Sequence, residues 1–168
     1  MRDILESVAA GDLTPAAAEA ELRGYATGEA GRFDATRVQR SGVPEAVLAD
    51  GKAAREIADL ATTSLETTGR AIVTRLSGGE VASVRNALGD AHPEATIRFH
   101  PRARLLVATA PDFEVPALNA SVGVVSAGTA DAPVAEEAAV TAAEMGADVE
   151  RVADVGVAAI ARLTDRLE

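Results

Sequence analysis

The sequence predicts an α/β fold, and three observations carry the prediction. Segments with helical spacing alternate with short β-branched runs from Ala53 onward, and such alternation implies parallel strands joined by crossover helices. The stretch Val122–Glu137 reads as strand, turn and helix: Val122, Val124 and Val125 come first, then Ser126-Ala127-Gly128-Thr129-Ala130-Asp131, then Pro133 in a helix's first turn. Hydrophobic residues make up 48% of the 168 positions but aromatics only 2%, so the core is to be built from Ala, Val, Leu and Ile.

Residues 1–30 read as a helical segment. A helix over Arg2–Ala9 stops at Gly11-Asp12, and Thr14 caps a second with Pro15 at its first position. That second helix continues through Ala16–Tyr25, with Gly24 and Gly28 bracketing its end. Residues 29–52 look irregular, broken by Gly31, Gly42, Pro44 and Gly51. Ala53–Leu65 has helical spacing through Ile57, Leu60 and Ala61; Ala71–Leu76 is a strand; Glu80–Leu88 is a helix with Val81, Val84 and Leu88 on one face.

Thr96–Phe99 and Leu105–Thr109 are two further strands with Pro101 between them. Pro111 and Pro116 mark a linker, so the chain divides into 1–30, an α/β region 31–110, a linker 111–120, and a last region 121–168. In that last region the Val122–Val125 strand leads to a Pro133–Met145 helix, a Val149–Val152 strand, and a closing helix with Val157, Ile160, Ala161 and Thr164 on one face. Two parallel strands cannot cover both of their faces and edges, so this region reads as an incomplete sheet.

Charge excludes one class of partner. There are 26 acidic against 16 basic residues, a net charge of −10, whereas nucleic-acid binding needs clustered Lys and Arg. Lys52 is the only lysine. Without cysteine there is no disulfide, no thiolate metal site and no cysteine nucleophile in these residues. No apolar run approaches the ~20 residues that span a bilayer, and the amino terminus lacks a signal-peptide core. The expectation is a soluble cytoplasmic protein with neither nucleic-acid nor membrane partners.

The carboxyl end of a parallel strand is where open α/β sheets bind ligands, which makes Gly128, Thr129 and Asp131 the first candidates. Turn amides can meet an anion, while Thr129 and Asp131 supply a hydroxyl and a carboxylate; equally, Gly128 makes a tight turn and Asp131 caps a helix. Glu136 and Glu137 point about 100° apart on a helix and are favoured there by the macrodipole. Asp154 follows the next strand and either shares the same crevice or caps the closing helix; Arg162 is a phosphate anchor or a surface arginine. Upstream, Arg37, Arg40, Glu45 and Lys52 share the breaker-rich stretch with Asp34, and Arg75 at a strand end suits a phosphate clamp. His92 and His100 have no metal-ligand spacing, and no Ser-His-acid triad stands out.

The series Asp34, Arg37, Arg40, Gly42, Pro44-Glu45 and Gly51-Lys52 resembles the amino-terminal signature of the LarB family of nickel-pincer cofactor biosynthesis proteins. Three further segments share the resemblance: Val73-Thr74-Arg75; Ala127-Gly128-Thr129-Ala130-Asp131 with Pro133-Val134-Ala135-Glu136-Glu137-Ala138; and Asp154-Val155-Gly156-Val157-Ala158. The latter half also resembles the aminoimidazole ribonucleotide (AIR) carboxylase family. The resemblance implies a small N-terminal α/β region followed by an incomplete flavodoxin-like, AIR-carboxylase-like domain. It implies carboxylation of the pyridinium ring of nicotinic acid adenine dinucleotide, with phosphoanhydride cleavage and AMP release.

Carried onto this chain, Gly128, Thr129, Asp131, Glu137, Asp154, Arg75, Lys52, Arg37 and Arg40 would bind that substrate. No resident cofactor is firmly implied; CO2 or bicarbonate is the co-substrate, with magnesium the one metal ion in question, and the family relationship implies a homo-oligomer. The family usually has Ser where this chain has Ala130, a second Gly where it has Ala159, and His where it has Ala161 before Arg162. The family's nucleophilic cysteine and Gly-Met-Glu-Gly carboxylate lie further along and are absent from these residues. The expectation is therefore a truncated LarB-type protein with little turnover of its own, the alternatives being a non-catalytic LarB-like partner subunit or decayed copy, and an AIR carboxylase of purine biosynthesis.

Overall fold

Thr14 and Pro15 start a helix for local reasons: the Thr14 hydroxyl accepts the Ala17 amide at 3.1 Å, and Pro15 brings a φ already suited to the first turn. This is α2 (Pro15–Arg23), preceded by α1 (Arg2–Ala10); each ends at a glycine in the left-handed region, Gly24 and Gly11. They begin a computed structural model that describes residues 1–156. The chain divides into two units, one of Met1–Phe99 with Leu105–Phe113 and one of His100–Arg104 with the chain from Glu114 onward.

Where residues 25–52 were expected to finish a helix and then run irregularly, the first unit holds several short elements. Strands β1 (Ala26–Gly28) and β2 (Gly31–Phe33) pair antiparallel across a two-residue turn. Gly28 and Gly31 flank that turn, and Ala26 and Phe33 face inward to join Ala20. The Asp59 carboxylate accepts the Ala30 amide at 2.6 Å and ties down the tip of the hairpin. Tyr25, expected inside the helix, lies beyond Gly24, and the Arg32 guanidinium stacks 4.8 Å from its ring centroid. Then come α3 (Arg37–Ser41), ended by Gly42 at φ 71°, and β3 (Val47–Leu48). All four are at most five residues long, shorter than any window in which periodicity registers.

The main sheet joins β3 to β4 (Arg70–Thr74), β6 (Leu105–Thr109) and β5 (Thr96–His100), in the order β3-β4-β6-β5. Its pairing corrects the all-parallel expectation for this region. Strands β3 and β4 are parallel, with Val47 opposite Val73, but β4 and β6 are antiparallel, with Ile72 opposite Val107. Residues 101–104 connect β5 to β6, and a link so short permits a hairpin return but no crossover.

Helices α4 (Ala54–Thr68) and α5 (Gly78–Ala91) flank β4 in the chain. Glu56 accepts the Ala53 amide and Glu80 the Ser77 amide, both at 2.7 Å, closing each helix's first turn. Ile57, Leu60, Ala61 and Leu65 of α4 and Val84 and Leu88 of α5 bury one stripe each in a common core with Val73 and Leu106. Each such Ile, Leu or Val contributes about 1.5–3 kcal/mol by leaving water. Arg70 is buried at the start of β4 with its guanidinium 4.9 Å from the centroid of Phe113. The chain's one Tyr and three Phe, at positions 25, 33, 99 and 113, all belong to this unit.

The second unit is built on β7 (Ser121–Val125) and β8 (Asp148–Val152), a parallel pair with Val122 opposite Val149 and Val125 opposite Val152. A turn of 3-10 helix (Thr129–Asp131) and α6 (Ala132–Glu144) make the crossover. Pro133 lies in the first turn of α6, and Ala139 and Val140 are buried. At Gly146, φ 92°, a Cβ would collide with the Pro116 carbonyl. Val122 and Val125 stay exposed on β7, because one helix among the described residues cannot cover both faces of the pair, and Val134 is exposed on α6 itself. The expected closing helix, with Val157, Ile160, Ala161 and Thr164, and the positions Ala159 and Arg162 lie outside the described residues.

Candidate functional site

In the second unit the strand-end turns are stitched to each other. The Ser126 amide donates to the Val152 carbonyl at 2.9 Å, and the Val155 amide donates to the Ser126 carbonyl at 3.2 Å. Between these bonds Asp154 adopts φ 63°, which a residue with a Cβ rarely occupies outside functional or tightly held turns. Gly156 comes so near that a Cβ there would sit 3.3 Å from the Ala127 carbonyl oxygen. The structure thus brings Gly128, Thr129, Asp131 and Asp154 to one end of the parallel pair, the end at which α/β sheets receive ligands.

Within that turn Asp131 has a definite task. Its carboxylate accepts the amides of Ala127, at 3.2 Å, and Gly128, at 2.9 Å. Those two N–H groups are therefore satisfied from inside the turn, and Asp131 shapes the loop. Thr129 is exposed and heads the 3-10 turn. Glu137 is half-buried in α6, where its carbonyl accepts the Thr141 hydroxyl. Glu136, one residue earlier, reaches β8 and pairs with Arg151 at 3.4 Å. Beside it a groove of about 130 Å³ is lined by Ser126, Ala132, Glu136, Arg151 and Arg102 of the same unit.

In the first unit, Lys52 and Arg75 follow the carboxyl ends of the parallel neighbours β3 and β4. The Ala49 amide extends that ladder to the Thr74 carbonyl at 2.9 Å, and the Lys52 amide closes a turn on Ala49. Asp50 pairs with Arg75 at 3.6 Å, and Arg75 is a second non-glycine residue in the left-handed region, at φ 61°. Arg37 and Arg40 sit on α3 instead, held by Glu45 at 3.2 Å and by Asp34. The four acidic and basic side chains that crowd this stretch of sequence thus form two exposed ion pairs.

Sequence reading singled out neither Arg102 nor Arg151, and gave Asp50 no role. Arg151 pairs with Glu136 and Asp50 with Arg75, 15 and 25 residues away, and no local spacing encodes such pairs. His92 lies near Glu66, Nε2 to Oε1 3.6 Å. Among the described residues no three His, Cys, Asp or Glu side chains gather as a metal cage, and no helix is long and apolar enough to cross a membrane.

Comparison with known proteins agrees with this architecture. An uncharacterized protein of Methanocaldococcus jannaschii is 34% identical over 137 residues, covering 82% of this chain and 53% of that protein. The chain thus spans about half the length of the curated relative it matches. A family described as the LarB/PurE-like N-terminal domain matches residues 25–110, the span that includes the β1–β2 hairpin, the Lys52 and Arg75 strand ends and the whole main sheet. More than half of its length therefore being accounted for, the chain belongs to the LarB/PurE-like family.

Proposed function

We propose that this chain is the substrate-binding portion of a LarB-type carboxylase/hydrolase, acting on nicotinic acid adenine dinucleotide in nickel-pincer cofactor biosynthesis. The reaction carboxylates the pyridinium ring and cleaves the phosphoanhydride, releasing AMP. A pyridinium ring is electron-poor, so a nucleophile adds first and makes a neighbouring carbon able to attack CO2. The observation that carries the reading is the linked pair of turns at Gly128–Asp131 and Asp154, at the carboxyl end of parallel strands in a LarB/PurE-like chain.

In this reading Thr129 faces the dinucleotide, Asp131 fixes the shape of the turn, and Asp154 and Glu137 supply carboxylates beside it. Lys52 and Arg75 meet phosphate charge, with Arg37 and Arg40 as further cations. CO2 or bicarbonate is the co-substrate. Any magnesium arrives on the substrate's phosphates, which is how that ion is commonly held. These 168 residues contain no cysteine, so the covalent step of the family is not theirs to perform.

Calorimetry with nicotinic acid adenine dinucleotide, and with nicotinamide adenine dinucleotide alongside, tests the reading. Saturable binding that favours the nicotinic acid form is expected, with no AMP released on adding bicarbonate. No heat with either ligand would remove the proposal. The missing cysteine also fits a second reading, a non-catalytic LarB-like subunit; release of AMP by the isolated chain would eliminate it.

A further inference from the structure

Asp50 is the one aspartate in the chain that is followed by glycine, and no asparagine is. The fold sets this Asp50-Gly51 step in an open turn just past the carboxyl end of β3. The Lys52 amide donates to the Ala49 carbonyl at 3.0 Å, which makes Asp50 and Gly51 the two central residues of a β-turn. Gly51 adopts φ 78°, the conformation that a type II turn demands at its third residue and that glycine meets without strain. The closing bond belongs to Lys52, and among the described residues the Gly51 amide makes no hydrogen bond. A Cβ placed at Gly51 would meet nothing within 4 Å, so the peptide can rotate there without striking a neighbour. The Asp50 side chain is 58% exposed and pairs with Arg75 at 3.6 Å, and exposed pairs of this kind hold their side chains loosely.

We propose that Asp50 is a site of spontaneous backbone modification, converting to isoaspartate through a cyclic succinimide. The Gly51 nitrogen attacks the side-chain carboxyl carbon of Asp50. Its proton and one carboxyl oxygen leave, with a second proton taken from solvent, as water. Water then adds back to the ring, and the borrowed proton returns to solvent. Addition at the side-chain carbonyl restores aspartate. Addition at the main-chain carbonyl routes the backbone through Cβ and Cγ and frees an α-carboxylate. No atom is gained or lost overall. The product lengthens the turn by one carbon, which carries the carboxylate away from Arg75 and breaks the register of the Lys52 amide with Ala49. An exposed turn is where a fold tolerates such lengthening. The modification stands whatever the chain binds. Its effect on affinity rests on the proposed function, in which Lys52 and Arg75 meet phosphate charge.

The test stores the folded 168-residue chain for weeks at neutral pH and body temperature. Trypsin then releases the peptide ending at Lys52, and electron-transfer mass spectrometry distinguishes isoaspartate from aspartate. Isoaspartate is expected to accumulate at position 50 and to stay far lower at every other aspartate. Asp50→Asn should accelerate the conversion, because ammonia leaves more readily than water. Asp50→Glu keeps a carboxylate for Arg75 but requires a larger ring, and should stay unmodified. Isoaspartate that is absent, equally abundant elsewhere, or formed only after unfolding in urea would overturn the assignment. Stored protein should bind nicotinic acid adenine dinucleotide several-fold more weakly than fresh protein, while Asp50→Glu should bind equally before and after storage. Equal affinity of fresh and stored protein, with isoaspartate present, would overturn the link to Lys52 and Arg75. No binding by fresh protein would instead remove the proposed function and leave the modification standing.

Discussion

The Asp131 carboxylate accepts the Gly128 amide at 2.9 Å, closing a turn across three residues at the head of α6. With the second bond, to Ala127, one side chain satisfies two exposed amides. Asp131→Ala should cost about 1 kcal/mol locally, the usual worth of such a cap. Hydrogen exchange at Ala127, Gly128 and the first turn of α6 should then quicken about fivefold. Asp131→Asn, which keeps an acceptor oxygen, should lose less. Equal exchange in all three proteins would show that the contact does not hold the turn.

Ile57 lies fully buried on the inner stripe of α4. Ile57→Ala is expected to lower the unfolding free energy by about 2–5 kcal/mol, and Ile57→Val by about 0.5–1.5 kcal/mol. Urea titration followed by far-UV circular dichroism measures both. A loss under 1 kcal/mol for the alanine variant would mean that α4 repacks.

Two glycines should respond in opposite directions. At Gly146 the left-handed backbone and the Pro116 carbonyl both oppose a Cβ, so Gly146→Ala should destabilise the second unit by more than about 1–2 kcal/mol. Gly89 sits inside α5 with open space around its Cβ position, and Gly89→Ala should stabilise by about 0.4–1 kcal/mol. Thermal unfolding of the pair checks the sign at each site.

Arg75 combines a left-handed backbone with an exposed pairing to Asp50. An exposed pair of this kind contributes about 0–1 kcal/mol, while glycine is at ease at that φ. Arg75→Gly should therefore leave stability unchanged or slightly raised, and weaken binding of nicotinic acid adenine dinucleotide about tenfold. Raising the salt concentration should narrow the gap between variant and parent, because screening acts on the exposed charge. Lost stability without lost affinity would assign Arg75 to the fold alone.

Much of the architecture was legible wherever a local signal was complete. Thr14-Pro15 fixed the start of α2, and Pro133 after a small-residue turn fixed α6 to within a residue. The pairing of β4 with β6 was not legible, because alternation of elements speaks of class, whereas direction depended on the length of the link after His100. The β1–β2 hairpin escaped because three-residue strands show no period, and two glycines read as breakers instead of turn flanks. At the strand ends, Gly128, Asp131 and Asp154 could be picked out by their position after β-branched runs. The Arg102 and Arg151 groove could not, since it joins segments about fifty residues apart in sequence that only the folded chain brings together.

The placement of every aromatic residue in the first unit divides the molecule optically. Tyrosine emission comes from Tyr25 alone, beneath the Arg32 guanidinium, and near-ultraviolet dichroism from four rings of the same unit. Both signals therefore report the melting of the main sheet and its hairpin, while β7, α6 and β8 unfold in the dark. A transition seen by far-ultraviolet dichroism but missing from tyrosine fluorescence belongs to the second unit. A single tryptophan placed at exposed Val125 would give that half of the molecule a colour of its own.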